Sequence, residues 1–373
     1  MIENAYTWKE FIAVRKYTFI CILCSCLGML LFFRAPAYVS NIGHVERGKE
    51  HIVPFTYTPS TLEAFVAESK EVLGLVGNGA ENYYGCKLWH DKSLSISSSL
   101  AQYLVDLESY TSLWRNFPGV RNIQDHLAKD SNACSMLRLH EDGLSGIFKS
   151  GHLSVGQTGM VEPLLPPLRH PGICLGEGDK LLDLSFLVHD FEAMCLKLKQ
   201  TSRIVFFDLG ASLSFHGNRE SPALYLMELF QQFGFQFHHI FAFEVTKADP
   251  ENVFEVVPEE YLTSYHWMNV GVDAKEGAKL NPLRMIADAF NEDDFVIMKL
   301  DIDNSQLELS LMKQILKNPL LHRLIDHLYI EHHVHLKELA GSWGSSMEGT
   351  VEESLEFFRN LREAGRSEER RVG

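Results

Sequence analysis

Four short apolar runs, the last interrupted by Asp326 and His327, mark out the second half of the chain, and each turns polar at its carboxyl end. Residues 204–207 close on Asp208, residues 240–243 on Glu244, residues 295–298 run through Lys299 and Leu300 to Asp301, and residues 324–330 close on Glu331. Short apolar runs without alternation are the pattern of strands buried on both faces, as in parallel sheets. Between them the periodicity turns helical. Ser221 is placed as an N-cap with Pro222 in the first turn of a helix over 223–233, Asp183 is placed to cap a helix over 184–200, and a further helix is expected over 350–364. Strand, helix and parallel strand in alternation predict an α/β fold, with a mostly parallel sheet, helices on both faces and right-handed crossovers.

The first half is different. Residues 17–33 contain no charged side chain and would span roughly 26 Å as a helix, near the thickness of a bilayer core. Lys9, Arg15 and Lys16 precede this run and only Arg34 follows closely. The positive-inside tendency then predicts a cytosolic tail over 1–16, a transmembrane signal-anchor over 17–33, a stem over 34–55 and a body in the lumen. The expected location is that of a single-pass type II membrane protein of the Golgi or endoplasmic reticulum. A cleavable signal peptide ending at Ala35-Pro36-Ala37 is the competing reading. Residues 56–200 read as an accessory region, helical near 61–68 and from Ser98 onward. It then becomes dense in glycine and proline over 145–182, where Arg169 and His170 would lie in a connector or beside a substrate mouth.

Composition narrows the function. With 34 basic and 49 acidic residues the net charge is −15, which argues against a general nucleic-acid binder. Three cysteines fall in the apolar run, leaving Cys86, Cys134, Cys174 and Cys195 in the body. An oxidising lumen would allow two disulfides in any of three pairings, and four reduced core cysteines are the alternative. The last eight residues, 366–373, back-translate to a sequencing-adapter string, which predicts a native chain that stops near Gly365.

The strand tips carry the candidate chemistry. In nucleotide-binding sheets a glycine after the first strand lets backbone amides approach a ligand, and the acid ending the second strand accepts hydrogen bonds from ribose hydroxyls. Asp208, Gly210, Ser212 and Glu244 occupy those positions. Together with Lys299-Leu300-Asp301-Ile302-Asp303, they make residues 200–340 resemble S-adenosyl-methionine (SAM)-dependent methyltransferases of the FkbM type, within the class I methyltransferase superfamily. The first turn is similar to that family's D-x-G-A-N, with Ser212 in place of Asn and no second glycine, and the fourth strand is similar to its K-L-D-x-(D/E) signature. Residues 269–277 look like the family's third strand and acidic turn.

The resemblance implies a Rossmann-like methyltransferase domain over 201–365, with SAM held by Asp208, Gly210, Ser212, Glu244 and, at the adenine, Asp273. The reaction implied is O-methylation of a glycan or small-metabolite hydroxyl. Asp301, His332 and His333 are the candidate catalytic groups, because the acceptor must lose a proton to a base as it attacks. Glu331, His332, His333 and His335 also invite a divalent metal with Asp301 and Asp303, while strand-end histidines bonded to backbone are the plainer expectation. Two other functions stay open: a luminal scaffold that keeps the fold without the cofactor, suggested by Ser212, and a type II glycosyltransferase using Asp301 and Asp303. Lys299, inside an apolar strand, must be paired or reach solvent.

Overall fold

The computed structural model describes residues 70–71, 74, 84–86, 98–138, 171–177, 183–185, 187, 189, 191–212, 221–364 and 368–371. The predicted tail, membrane span, stem, helix near 61–68, Arg169 and His170 lie outside them. Among the described residues no helix is long and apolar enough to cross a membrane.

Before the sheet come α1 (Ser98–Arg115), α2 (Ile123–Leu127), a 3₁₀ turn at Ala133–Leu137 and α3 (Phe191–Lys197). The helix predicted over 184–200 is shorter than expected at its start. Asp183 accepts from the Ser185 amide at 2.8 Å, which closes a turn. The His189 backbone is taken by the buried Tyr110 hydroxyl, which accepts from its N–H at 2.8 Å and donates to its C=O at 3.2 Å. Backbone groups spent on a side chain cannot join a helical ladder, so α3 begins at Phe191. The Cys134–Cys195 disulfide and an Arg138–Glu192 pair, with both N···O distances at 2.6 Å, fasten the 3₁₀ turn to α3. A second disulfide joins Cys86 to Cys174.

The rest alternates: β1 (Ile204–Leu209), α4 (Pro222–Gln232), β2 (His239–Phe243), α5 (Pro250–Val256), β3 (Tyr265–Met268), α6 (Pro282–Ala289), β4 (Phe295–Leu300), α7 (Ser305–Lys317), α8 (Pro319–Leu324) and β5 (His327–Ile330). Then follow α9 (Ala340–Trp343), α10 (Val351–Glu363) and β6 (Glu368–Arg371). Strand order is β3-β2-β1-β4-β5-β6, and every pairing is parallel. The expected α/β fold with its mostly parallel sheet is present. Ser221 caps α4, accepting from the Leu224 amide at 3.2 Å, with Pro222 in its first turn.

Alternate strand residues serve opposite faces. Ile204, Phe206, Phe295, Ile297 and Tyr329 pack with Phe191, Leu226 and Phe230 of α3 and α4. Val205, Phe207, Val296, Met298 and Leu328 pack with Ile286, Leu311, Leu324 and Phe358 of α6, α7, α8 and α10. A sheet covered on both faces can present a ligand site only at its edges or strand ends. The amino ends are occupied by structural partners: Arg203 pairs with Asp294, the Asp326 carboxylate accepts the Val296 amide at 2.8 Å, and His238 Nδ1 accepts the Ile204 amide at 3.0 Å. The carboxyl ends remain.

The third strand corrects the sequence reading. It is Tyr265–Met268, and residues 269–280 form a loop instead. The Asn269 amide donates to Glu244 O and Thr246 O, both at 2.7 Å, and Asp273 accepts from the Lys275 amide at 2.8 Å. Both side chains are bonded to loop backbone, as Asx turns require.

Candidate functional site

From β1 the chain winds outward to β2 and β3, then returns to lay β4 on the other side of β1, which makes the β1 and β4 ends a topological switch point. Such a switch point opens a crevice beyond the strand ends. A cavity of 710 Å³ lies there, with Gly210, Ser212, Glu244, Trp267, Asp301 and Asp303 among its lining residues. Gly210 is at φ 87, and a Cβ built on it would fall 1.7 Å from the Asp301 carbonyl oxygen. The glycine is therefore required by the close passage of the β4 tip, a reason distinct from ligand approach. Glu244 stands at the cavity wall, where it accepts from the Thr246 amide at 2.6 Å.

Beneath the cavity is a buried charged cluster. Lys299 Nζ lies 3.1 Å from Asp208, 3.1 Å from Asp301 and 3.2 Å from Gly210 O. Burial opposes the lysine's charge, but Asp208 and Asp301 together outweigh it and hold the ammonium above its ordinary range. Burial likewise opposes the Asp301 carboxylate, and Lys299 prevails, so Asp301 stays ionised below its usual value. Glu331, on the neighbouring strand end, is driven far upward by burial and by the negative charge of Asp301, to which it is hydrogen-bonded. A neutral Glu331 donating to an ionised Asp301 satisfies both.

Glu308 of α7 closes the cluster from above and accepts the Ile302 amide at 2.7 Å. Burial pushes its carboxyl up to about 8 against the pull of that amide, with Asp301 and Asp303 adding to the rise. A carboxyl whose folded pKa exceeds its unfolded one folds in the protonated form. Its contribution is complete below about 4.3 and is lost as pH climbs toward 8. Glu308→Gln should match the parent at pH 4 and exceed its stability at pH 8.5 by on the order of 5 kcal/mol. Urea midpoints at the two pH values check this, and an equal gap at both would remove the titration from Glu308.

Asp301 and Asp303 part ways. Asp301 turns inward to Lys299, while the Asp303 side chain is 68% exposed and accepts from Trp343 Nε1 at 3.1 Å. The two carboxylates therefore face different surroundings, Asp301 the buried lysine and Asp303 the open side of the cavity that both of them line. His333, 1% exposed, places Nε2 2.8 Å from Glu331 and 4.0 Å from Asp303. His332 instead meets Ser354 of α10 at 3.0 Å, and His335 meets Gly349 O at 2.8 Å. Of the predicted residues, Gly210, Ser212, Glu244 and Asp301 line the cavity, and Asp208 and His333 belong to the charged cluster beside it. Asp273 and His332 are absent from the cavity lining. Sequence reasoning passed over Trp343, Ser346 and Glu308, none of which ends a strand, and reached Glu331 as the last acid in the row of strand tips and as a possible metal ligand.

Comparison with known proteins finds no matching family model, curated protein or solved structure.

Proposed function

We propose that this chain is a membrane-anchored, SAM-dependent O-methyltransferase of the Golgi or endoplasmic reticulum, acting on a hydroxyl of a glycan or small metabolite. The observation that carries the reading is the convergence of Gly210, Ser212, Glu244 and Asp301 on one cavity at the switch point of a parallel sheet. In this reading the turn at Gly210 and Ser212 holds the amino-acid end of SAM, and Glu244 accepts hydrogen bonds from its ribose. Lys299 fixes Asp208 and Asp301 so that the floor of the site keeps its shape. SAM supplies an electrophilic methyl group. The chain's task is to hold the acceptor oxygen in line and receive its proton. Asp303 and the buried His333–Glu331 pair stand nearest for that, since His332 is turned toward α10. The luminal location draws support from the Cys86–Cys174 and Cys134–Cys195 disulfides, which belong to oxidising compartments.

The test is calorimetric titration of the full-length chain with SAM, using NAD as control. Removing a hydrogen bond to a charged group costs about 1.5–3 kcal/mol, so Glu244→Ala should weaken SAM binding about 10- to 100-fold. A folded chain that takes up no SAM would sink this reading and favour a luminal scaffold.

A further inference from the structure

The geometry points to a divalent-cation site formed by Asp303, Glu331 and His333, opening on the cavity at the β4 tip. One ligand atom from each of these residues lies within 4.8 Å of the other two. His333 Nε2 stands 2.8 Å from Glu331 Oε1 and 4.0 Å from Asp303 Oδ1. With metal–ligand bonds of about 2.1 Å, adjacent ligands around an octahedral ion are roughly 3.0 Å apart and opposite ones roughly 4.2 Å. The 2.8 Å spacing matches an adjacent pair and the 4.0 Å spacing falls just under the limit for an opposite pair, while the three atoms together are bounded at 4.8 Å, so an ion would draw the ligands closer as it bound.

The hydrogen bonding around the imidazole supports the same assignment independently. Ser346 Oγ donates its one proton to Trp343 O at 3.2 Å and lies 3.3 Å from His333 Nδ1. The hydroxyl then accepts from Nδ1–H, which leaves the lone pair on Nε2. That lone pair faces the carboxyl oxygens of Glu331 and Asp303. An imidazole oriented through its other nitrogen is the usual arrangement of a metal-bound histidine. Asp301, hydrogen-bonded to Glu331, would orient that ligand from behind.

Two oxygen donors, one imidazole and no thiolate suit a Mn²⁺-type ion better than a structural zinc. Asp303 is both exposed and part of the cavity lining, so the ion's remaining positions would open toward bound ligand. A hydroxyl on such an ion ionises more readily, which would place the acceptor of the proposed methyl transfer. That role rests on the methyltransferase reading; the ion binding does not.

Mn²⁺ alone is the probe, followed by loss of the free-ion paramagnetic resonance signal on titration with the full-length chain. The expected result is one saturable Mn²⁺ per chain in the parent, weakened at least tenfold in both Asp303→Asn and Glu331→Gln. Asparagine tolerates the φ of 58 at this position and can still accept from Trp343, so Asp303→Asn should fold. No saturable uptake by the parent, or undiminished uptake by Asp303→Asn, would overturn the site. SAM titration of the same samples separates the two ideas: Mn²⁺ uptake without SAM binding keeps the ion site and removes the methyltransferase, and SAM binding without Mn²⁺ uptake does the reverse.

Discussion

Lys299→Met should destabilise the protein by about 3–5 kcal/mol, the loss expected when one partner of a buried ion pair is removed and the other charge is left behind. Here two charges are left. Asp208 and Asp301 both lie 3.1 Å from the ammonium, and the side chains of Lys299 and Asp208 are each 2% exposed. Methionine fills the same space without offering a donor, so both carboxyls would have to take up protons or drag water into the floor of the cavity. Adding Asp208→Asn to Lys299→Met removes one of the stranded charges and should recover part of the loss. That recovery distinguishes electrostatic stranding from a packing defect, which the second substitution would deepen. Urea unfolding followed by tryptophan fluorescence gives both numbers. A loss below about 1 kcal/mol in the single variant would mean that Lys299 does not hold the cluster together. The same pairing explains why a lysine stands inside an apolar strand: it allows two acids to be fixed at a strand tip where the fold leaves room for a ligand.

What could be read from the sequence follows from how local each signal is. β1, β2 and β4 were legible because a strand buried on both faces needs an unbroken apolar run, and residues 204–207, 240–243 and 295–298 supply one; β5 was legible from a run over 324–330 that Asp326 and His327 interrupt. The last run was read too long, since Leu324 ends α8 and the strand begins only at His327. β3 escaped notice because Tyr265–Met268 is half-buried toward the sheet edge and its Tyr-His-Trp-Met composition shows no apolar run. Expectation settled on residues 269–277 instead, where asparagine, aspartate and two glycines make turns. The strand-tip rule found Gly210, Glu244 and Asp301 because position at the end of a strand suffices to place them. It could not find Trp343 and Ser346, which come back over the β4 tip from about forty residues beyond it in the chain, nor tell His333 from His332, since which ring faces Glu331 depends on packing against α9 and α10.

Gly210→Ala should cost more than about 4 kcal/mol, against about 1 kcal/mol for Gly277→Ala, although both glycines sit at positive φ, 87 and 73. The left-handed conformation is common to the two. The difference lies in what a methyl group would meet: nothing within 4 Å at Gly277, but at Gly210 the Asp301 carbonyl oxygen at 1.7 Å, its carbon at 2.7 Å and Ile302 Cα at 3.1 Å. These are backbone atoms of the adjacent strand's exit and cannot swing aside as a side chain would. To admit the methyl group the tips of β1 and β4 must separate, which gives up the 3.0 Å bond from the Asp301 amide to Leu209 O and the 3.2 Å bond from Lys299 to Gly210 O. One substitution would thus undo the ladder end and the ion cluster together, at the place where the cavity opens. Denaturation midpoints of the two alanine variants measured side by side isolate the contact from the shared backbone strain. Equal losses would show that the β1 and β4 tips do not pass as closely as their hydrogen bonds imply.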